Sequence, residues 1–206
     1  METTDVVPMF PTLVWQVQLE RELHEAADAK IIALLASIRR RLPQLAPGKG
    51  WQSEQTLHQR DQLRELVDCV YRAARSVLRS LRVGYDAVEI TGCWAKVLGK
   101  GAAHRIHSHP NNFLSGVYYV RTHPGAVTVN FHDPRIQTGI IRPPVVELTA
   151  ENTDQVVVRV KNGMLLLFPA YLQHSVDTNN SEQERISISF NIMFSDFTGN
   201  LSKPLW

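Results

Sequence analysis

The chain is short of cysteine, of charge of one sign and of long apolar runs, and each shortage removes a class of protein. Its two cysteines, Cys69 and Cys93, form no Cys-x-x-Cys and no evenly spaced framework, which excludes a disulfide scaffold and a dithiol redox pair. Both read as buried thiols. No apolar stretch approaches the roughly eighteen residues of a membrane span, and no membrane partner is expected. The start, Met1-Glu2-Thr3-Thr4-Asp5, is acidic where a secretory leader is basic, so cytoplasmic residence is the default expectation. A net charge of only +2, with acids and bases mixed along the chain, announces no nucleic-acid partner. The local exception is Arg72, Arg75, Arg79 and Arg82, which fall on one predicted helix face. That face is either simply solvated or a docking face for an acidic partner.

What is present is the material of one ordinary domain. Of 206 residues 44% are apolar and 20% charged, enough to bury a core without staples. Phe10 to Leu19 ends in the strand-like alternation Gln16-Val17-Gln18-Leu19. Leu23, Ala27, Ile31, Leu34, Ile38 and Leu42 recur every three or four residues until Pro43, which predicts a helix. Leu63, Leu66, Val70, Ala73, Val77 and Leu81 predict a second, with Gly84 as its end signal. Residues 43–53 read as a loop.

From Asp86 the pattern changes to short β-rich runs: 88–98, 114–121, 126–132, 156–160, 164–168 and 185–194. Strands at this spacing predict a sandwich or barrel, with the helices packed on one outer face. Neither repeats nor low-complexity tracts interrupt the chain, so a single domain over 1–206 is expected, with 1–85 as its strand and helices and 86–197 as its β core.

Six of the eight histidines lie between 104 and 174, and spacing matters more than clustering. On a strand His107 and His109 point to the same side of the sheet, and His174, beyond the apolar run 164–168, can return beside them. The usual iron face is two histidines and a carboxylate, yet residues 101–132 contain no Asp or Glu. The third ligand is therefore His109, which the two-residue offset favours, or Asp133. His107 and His109 also precede a Pro110-Asn111-Asn112 turn, so an exposed loop pair is the bland reading. His104 and His123 are expected to face solvent. His132 is a ligand, a donor behind a ligand or a filled core position, the last two being favoured.

Eleven residues after His174 begins Arg185-Ile-Ser187-Ile-Ser189-Phe-Asn191-Ile192, in strict alternation. Its polar face must meet something wet or occupied, because an arginine can grip a carboxylate bidentately and a serine two residues on adds a third bond.

With these residues in place, the chain resembles the iron(II)- and 2-oxoglutarate-dependent oxygenases. More narrowly, His107-Ser-His-Pro, Leu114-Ser-Gly-Val-Tyr-Tyr-Val, Phe131-His-Asp-Pro-Arg, Leu167-Phe-Pro-Ala-Tyr-Leu-Gln-His-Ser-Val and Arg185-Ile-Ser-Ile-Ser-Phe-Asn-Ile resemble a bacterial and phage group of such oxygenases. The resemblance covers about residues 90–195. It implies an α+β fold, a double-stranded β-helix (jelly roll, cupin-like) core buttressed by the N-terminal helices. It also implies iron(II) on His107, His174 and His109 or Asp133, and 2-oxoglutarate held by Arg185, Ser187 and Tyr119. Asn112, Arg135 and Asn191 are further candidates for the pocket, with structural roles as the safer expectation. The departure is His109, where the superfamily carries Asp or Glu.

The reaction this implies consumes O2, forms succinate and CO2, and hydroxylates a C–H bond of an amino acid, a peptide or a small metabolite. A halogenase is disfavoured, since those replace the third ligand with a small residue. The rivals are a three-histidine cupin dioxygenase that does without 2-oxoglutarate and a metal-free jelly-roll binding module. For a homodimer, the arginine-lined helix and Trp206 are the interface candidates.

Overall fold

Burial on both faces shapes the central strands. β5 (Leu114–Arg121) and β10 (Arg185–Phe194) are almost continuously buried, as strands covered on both sides must be. The computed structural model describes residues 5, 7–84, 87–135, 140 and 143–198; Trp206 and part of the loop after Pro134 lie outside them.

The other elements are β1 (Trp15–Gln18), α1 (Arg21–Arg39), β2 (Gly50–Gln52), α2 (Arg64–Ser80), β3 (Val88–Leu98), β4 (His104–His107), β6 (Thr128–His132), β7 (Gln155–Arg159), β8 (Met164–Pro169), β9 (His174–Val176) and α3 (Ser195–Thr198). They form two antiparallel sheets, one of six strands ordered β1-β8-β5-β10-β3-β2 and one of four ordered β4-β9-β6-β7. This is the expected jelly-roll core with helices against it.

Alternation on β10 divides the interior. Ile186, Ile188, Phe190 and Ile192 face the helices and pack with Ile31 and Leu35 of α1 and with Leu66, Val70 and Val77 of α2. Between the sheets, one side is filled by Tyr119, Val129, Phe131, Val160, Met164, Leu166, Phe168 and Leu172. The other side stays open as a cavity. Gly116 of β5 lies where the sheet meets Phe190: a Cβ there would come within 2.3 Å of the Phe190 ring and 2.6 Å of the Leu166 carbonyl oxygen. A close approach of that kind admits only glycine, which accounts for the glycine of Ser115-Gly-Val-Tyr-Tyr.

Several local expectations shift. The 43–53 loop contains β2, whose three residues pair with the end of β3. α1 buries Ala27, Asp28, Ile31 and Leu35, while Leu23 and Ile38 are exposed. Two 3-10 turns precede α2. The left-handed residue after it is Arg82, at φ 57°, rather than Gly84; the Val83 N–H donates to the Leu78 carbonyl and closes the helix end. Arg72, Arg75 and Arg79 are exposed on α2.

Candidate active site

The cavity is walled by β3, β10 and β5 on one side and by β4, β9 and β6 on the other. His107 closes β4 and is the direct strand partner of His174, which opens β9. His109 lies beyond the end of β4, so strand alternation does not bring it in. Instead its N–H donates to the Ala170 carbonyl at 2.9 Å, and the chain folds the ring back. Its centroid comes to 5.0 Å from that of His107 and 5.2 Å from that of His174. One nitrogen from each of the three rings lies within 4.8 Å of the others, a spacing that suits a single ion.

Their hydrogen bonds set the tautomers. Nδ1 of His107 meets the Arg105 carbonyl at 2.8 Å, and Nδ1 of His174 meets that of Leu172 at 3.0 Å. A carbonyl only accepts, so Nδ1 carries the proton and Nε2 keeps a free lone pair, the arrangement that orients a metal-binding imidazole. Burial lowers the pKa of all three, that of His109 to about 4 and that of His174 to about 3, and neighbouring rings add to the effect in His109 and His174. The donor set is neutral, and this fits a divalent cation.

The far wall fits an anion. Arg185 is 3% exposed. Its Nη1 donates to the Thr128 carbonyl at 3.0 Å, its guanidinium lies over the Tyr119 ring at 5.3 Å, and its Nε is buried with no hydrogen-bond partner among the described residues. Burial pulls the guanidinium pKa down, opposed by Tyr119 and by Asp177. The Tyr119 phenol is pushed up to about 12 by burial, with Arg185 pulling the other way. Asp177 is itself held by the Thr128 hydroxyl at 2.9 Å and the Asn130 amide at 2.7 Å. Ser187 and Ser189 line the same cavity, whose wall contains no Asp or Glu among the described residues. A buried, under-bonded arginine facing an acid-free space is a ready site for a carboxylate.

Other candidates fall elsewhere. Asp133 accepts from Arg135 at 2.6 Å, and both line a separate groove beside residues 8–12; Asp133 is not in the histidine group. The Asn112 amide donates to the Pro110 carbonyl, and Asn191 accepts from the Ser115 hydroxyl at 2.8 Å. Neither lines the cavity. His132 pairs with the Ser175 hydroxyl at 2.9 Å.

His104 corrects an expectation. It does not point out to solvent: its ring lies in the cavity wall, tilted against that of His107 with centroids 4.1 Å apart. A register shift between these two residues turns Arg105 and Ile106 outward, and such a shift leaves no mark in hydrophobic periodicity. Trp94 and Lys96 also line the cavity. For them a signal existed, since Lys96 interrupts the apolar run Cys93-Trp94-Ala95-Lys96-Val97-Leu98.

Comparison with known proteins fits this geometry. Residues 92–191 match the family described as "Putative 2OG-Fe(II) oxygenase". No curated protein matches the chain. Among solved structures, the fold is similar to the non-haem alpha-ketoglutarate-dependent carbocyclase SnoK from nogalamycin biosynthesis, at TM-score 0.64 and 14% identity over 88% of this chain and 79% of that one. It is similar to a prolyl-4-hydroxylase of Pseudomonas putida at TM-score 0.60 and 15% identity, covering 88% and 92%. It is also similar to HygX from Streptomyces hygroscopicus, crystallised with nickel and 2-oxoglutarate, at 0.60 and 12%, covering 91% and 85%. The family match and the fold together support the superfamily of 2-oxoglutarate- and iron(II)-dependent oxygenases. Iron(II) and 2-oxoglutarate are the cofactor and co-substrate that go with it.

Proposed function

We propose that the protein is a hydroxylase of this superfamily, with iron(II) on His107, His109 and His174 and the far carboxylate of 2-oxoglutarate on Arg185, Ser187 and Tyr119. One observation carries the reading: three neutral histidines and a buried arginine whose Nε has no partner share one cavity that, among the described residues, contains no acid. When bound, iron(II) and 2-oxoglutarate supply the oxidation, one oxygen atom of O2 leaving in succinate and the other entering a substrate C–H bond. The chain's own residues orient the two ligands and keep water out. The substrate class is an amino acid, a peptide or a small metabolite; structural relatives include a prolyl-4-hydroxylase and an enzyme of nogalamycin biosynthesis.

The third histidine favours one other reading, a cupin-type dioxygenase that binds its substrate straight to the metal and has no use for Arg185. Anaerobic titration separates the two. A weak visible band on adding iron(II) and then 2-oxoglutarate, together with substrate-dependent succinate formation across a panel of such compounds, supports the hydroxylase. Metal uptake without the band sinks the 2-oxoglutarate reading, and no metal uptake sinks both in favour of a binding module.

A further inference from the structure

The three histidines of the proposed metal centre are not held alike. Nδ1 of His107 and Nδ1 of His174 each meet a backbone carbonyl, whereas among the described residues the His109 ring has no hydrogen-bond partner. Its backbone, by contrast, is fixed. The His109 N–H donates to the Ala170 carbonyl at 2.9 Å, the Ala170 N–H to the Phe113 carbonyl at 3.1 Å and the Phe113 N–H to the Ile192 carbonyl at 2.9 Å. Between His109 and Phe113, Asn111 takes a left-handed φ of 61°. Asn112 is tied by its amide to the Pro110 carbonyl, and its side-chain oxygen accepts from the Thr91 hydroxyl of β3. Such a turn fixes the Cα–Cβ bond of His109 and leaves both side-chain torsions to packing.

Trp94 supplies that packing. It is the strand partner of Ser189, and both side chains enter the cavity. The indole is 7% exposed and lies against Gly92, where a Cβ would stand 3.5 Å from its six-membered ring. Its centroid is 5.8 Å from that of His109, with the planes tilted by 50°, a spacing at which aromatic rings attract and resist rotation. The other rings beside His109 are those of His107 and His174, which are themselves proposed ligands. A metal-binding imidazole is ordinarily turned to its ion by a hydrogen bond at its other nitrogen. His109 has a ring contact instead.

We propose that Trp94 is the positioning residue of His109: its indole does for the third ligand what the Arg105 and Leu172 carbonyls do for His107 and His174. The inference rests on the reading of the three histidines as one metal site. It adds that His109 is the ligand most easily turned away, and that Trp94 decides how firmly it is kept.

The test uses the full chain and cobalt(II) alone, with affinity read by competition against a chelator and coordination read from the visible bands of the ion. Wild type, W94A, W94F, H109A and the double variant W94A/H109A are each first shown to melt cooperatively; where W94A does not, W94L, which keeps apolar bulk without a ring, takes its place. W94A weakens cobalt(II) binding by about tenfold or more, the usual loss when the support of a ligand is removed, and shifts the visible bands toward those of H109A. W94F, which keeps an aromatic ring, loses less. In the H109A background the Trp94 change alters affinity by no more than about twofold, because the residue acts only through His109. W94A binding as tightly as wild type overturns the proposal, as does an equal loss from W94A with and without His109, which makes Trp94 a general support of the fold. A wild type that takes up no cobalt(II) sinks the metal-site reading itself and the proposal with it, an outcome distinct from uptake that ignores Trp94.

Discussion

Tyr118 and Tyr119 are adjacent on β5, and the two faces they serve are built on opposite terms. Tyr118 points to the helices, fully buried, and donates to Asp28 of α1 at 2.8 Å. Asp28 in turn pairs with His24 at 3.2 Å. Tyr119 points to the cavity beneath Arg185, whose buried Nε has no hydrogen-bond partner among the described residues. On the helix face Tyr118, Asp28 and His24 satisfy one another internally, as buried dipoles in a core require. The inner face leaves a cation for a ligand to satisfy. A protein of this size can tolerate that deficit because the apolar packing of the helix face stabilises the same sheet from behind.

The contrast can be broken from either side. The largest effect is expected from H174A, which removes the histidine paired with His107 and should abolish the iron-dependent 2-oxoglutarate band; D133N should leave it intact, and equal loss in both would shift the third ligand to Asp133. Next, R185A should weaken 2-oxoglutarate binding about ten- to hundredfold in the same titration, with R185K recovering only part because it lacks the bidentate fork. Gly116→Ala acts on packing alone: forcing a methyl against Phe190 should cost about 1–3 kcal/mol in denaturant unfolding, with ligand affinity in the surviving folded fraction unchanged.

A smaller and sharper pair is Y118F against Y119F. The first leaves Asp28 short of a donor and should lower stability by about 1–2 kcal/mol without changing 2-oxoglutarate binding. The second should weaken that binding and leave the melting temperature nearly in place. Stability loss in both would show that the two faces are not distinct. The smallest effect is a slope with pH. Burial holds the Asp28 carboxyl above its usual value near 3.8, with the Tyr118 and His24 bonds pulling it down. The folded state therefore binds this proton more tightly than the unfolded chain. Its contribution is present in full below the unfolded value and is lost as pH rises through the folded one. Thermal melts of D28N from pH 3 upward should show that decline flattened.

Much of this division was legible in the residues. Strict alternation from Arg185 to Ile192 separated an apolar helix-facing set from a polar set, and the structure keeps that division, with Ser187 and Ser189 beside Arg185 in the cavity. The Tyr-Tyr pair likewise divides as alternation requires. Asn191 keeps the polar side of the alternation but accepts from its strand partner Ser115 and does not line the cavity. His109 was singled out because it lies two residues from His107, yet a backbone bond to Ala170 brings it in after the strand has ended.

By itself, then, the sequence determined the longer sheet-forming runs, their faces and the residue types able to bind a cation and a carboxylate, because side-chain period and chemistry are local. Tertiary structure alone decided that His104 turns inward, that Asp133 faces Arg135 in another groove, and that Lys96 lies next to Ser187. Those facts depend on strand register and on which sheet faces which, and these are set by packing between segments far apart in the chain.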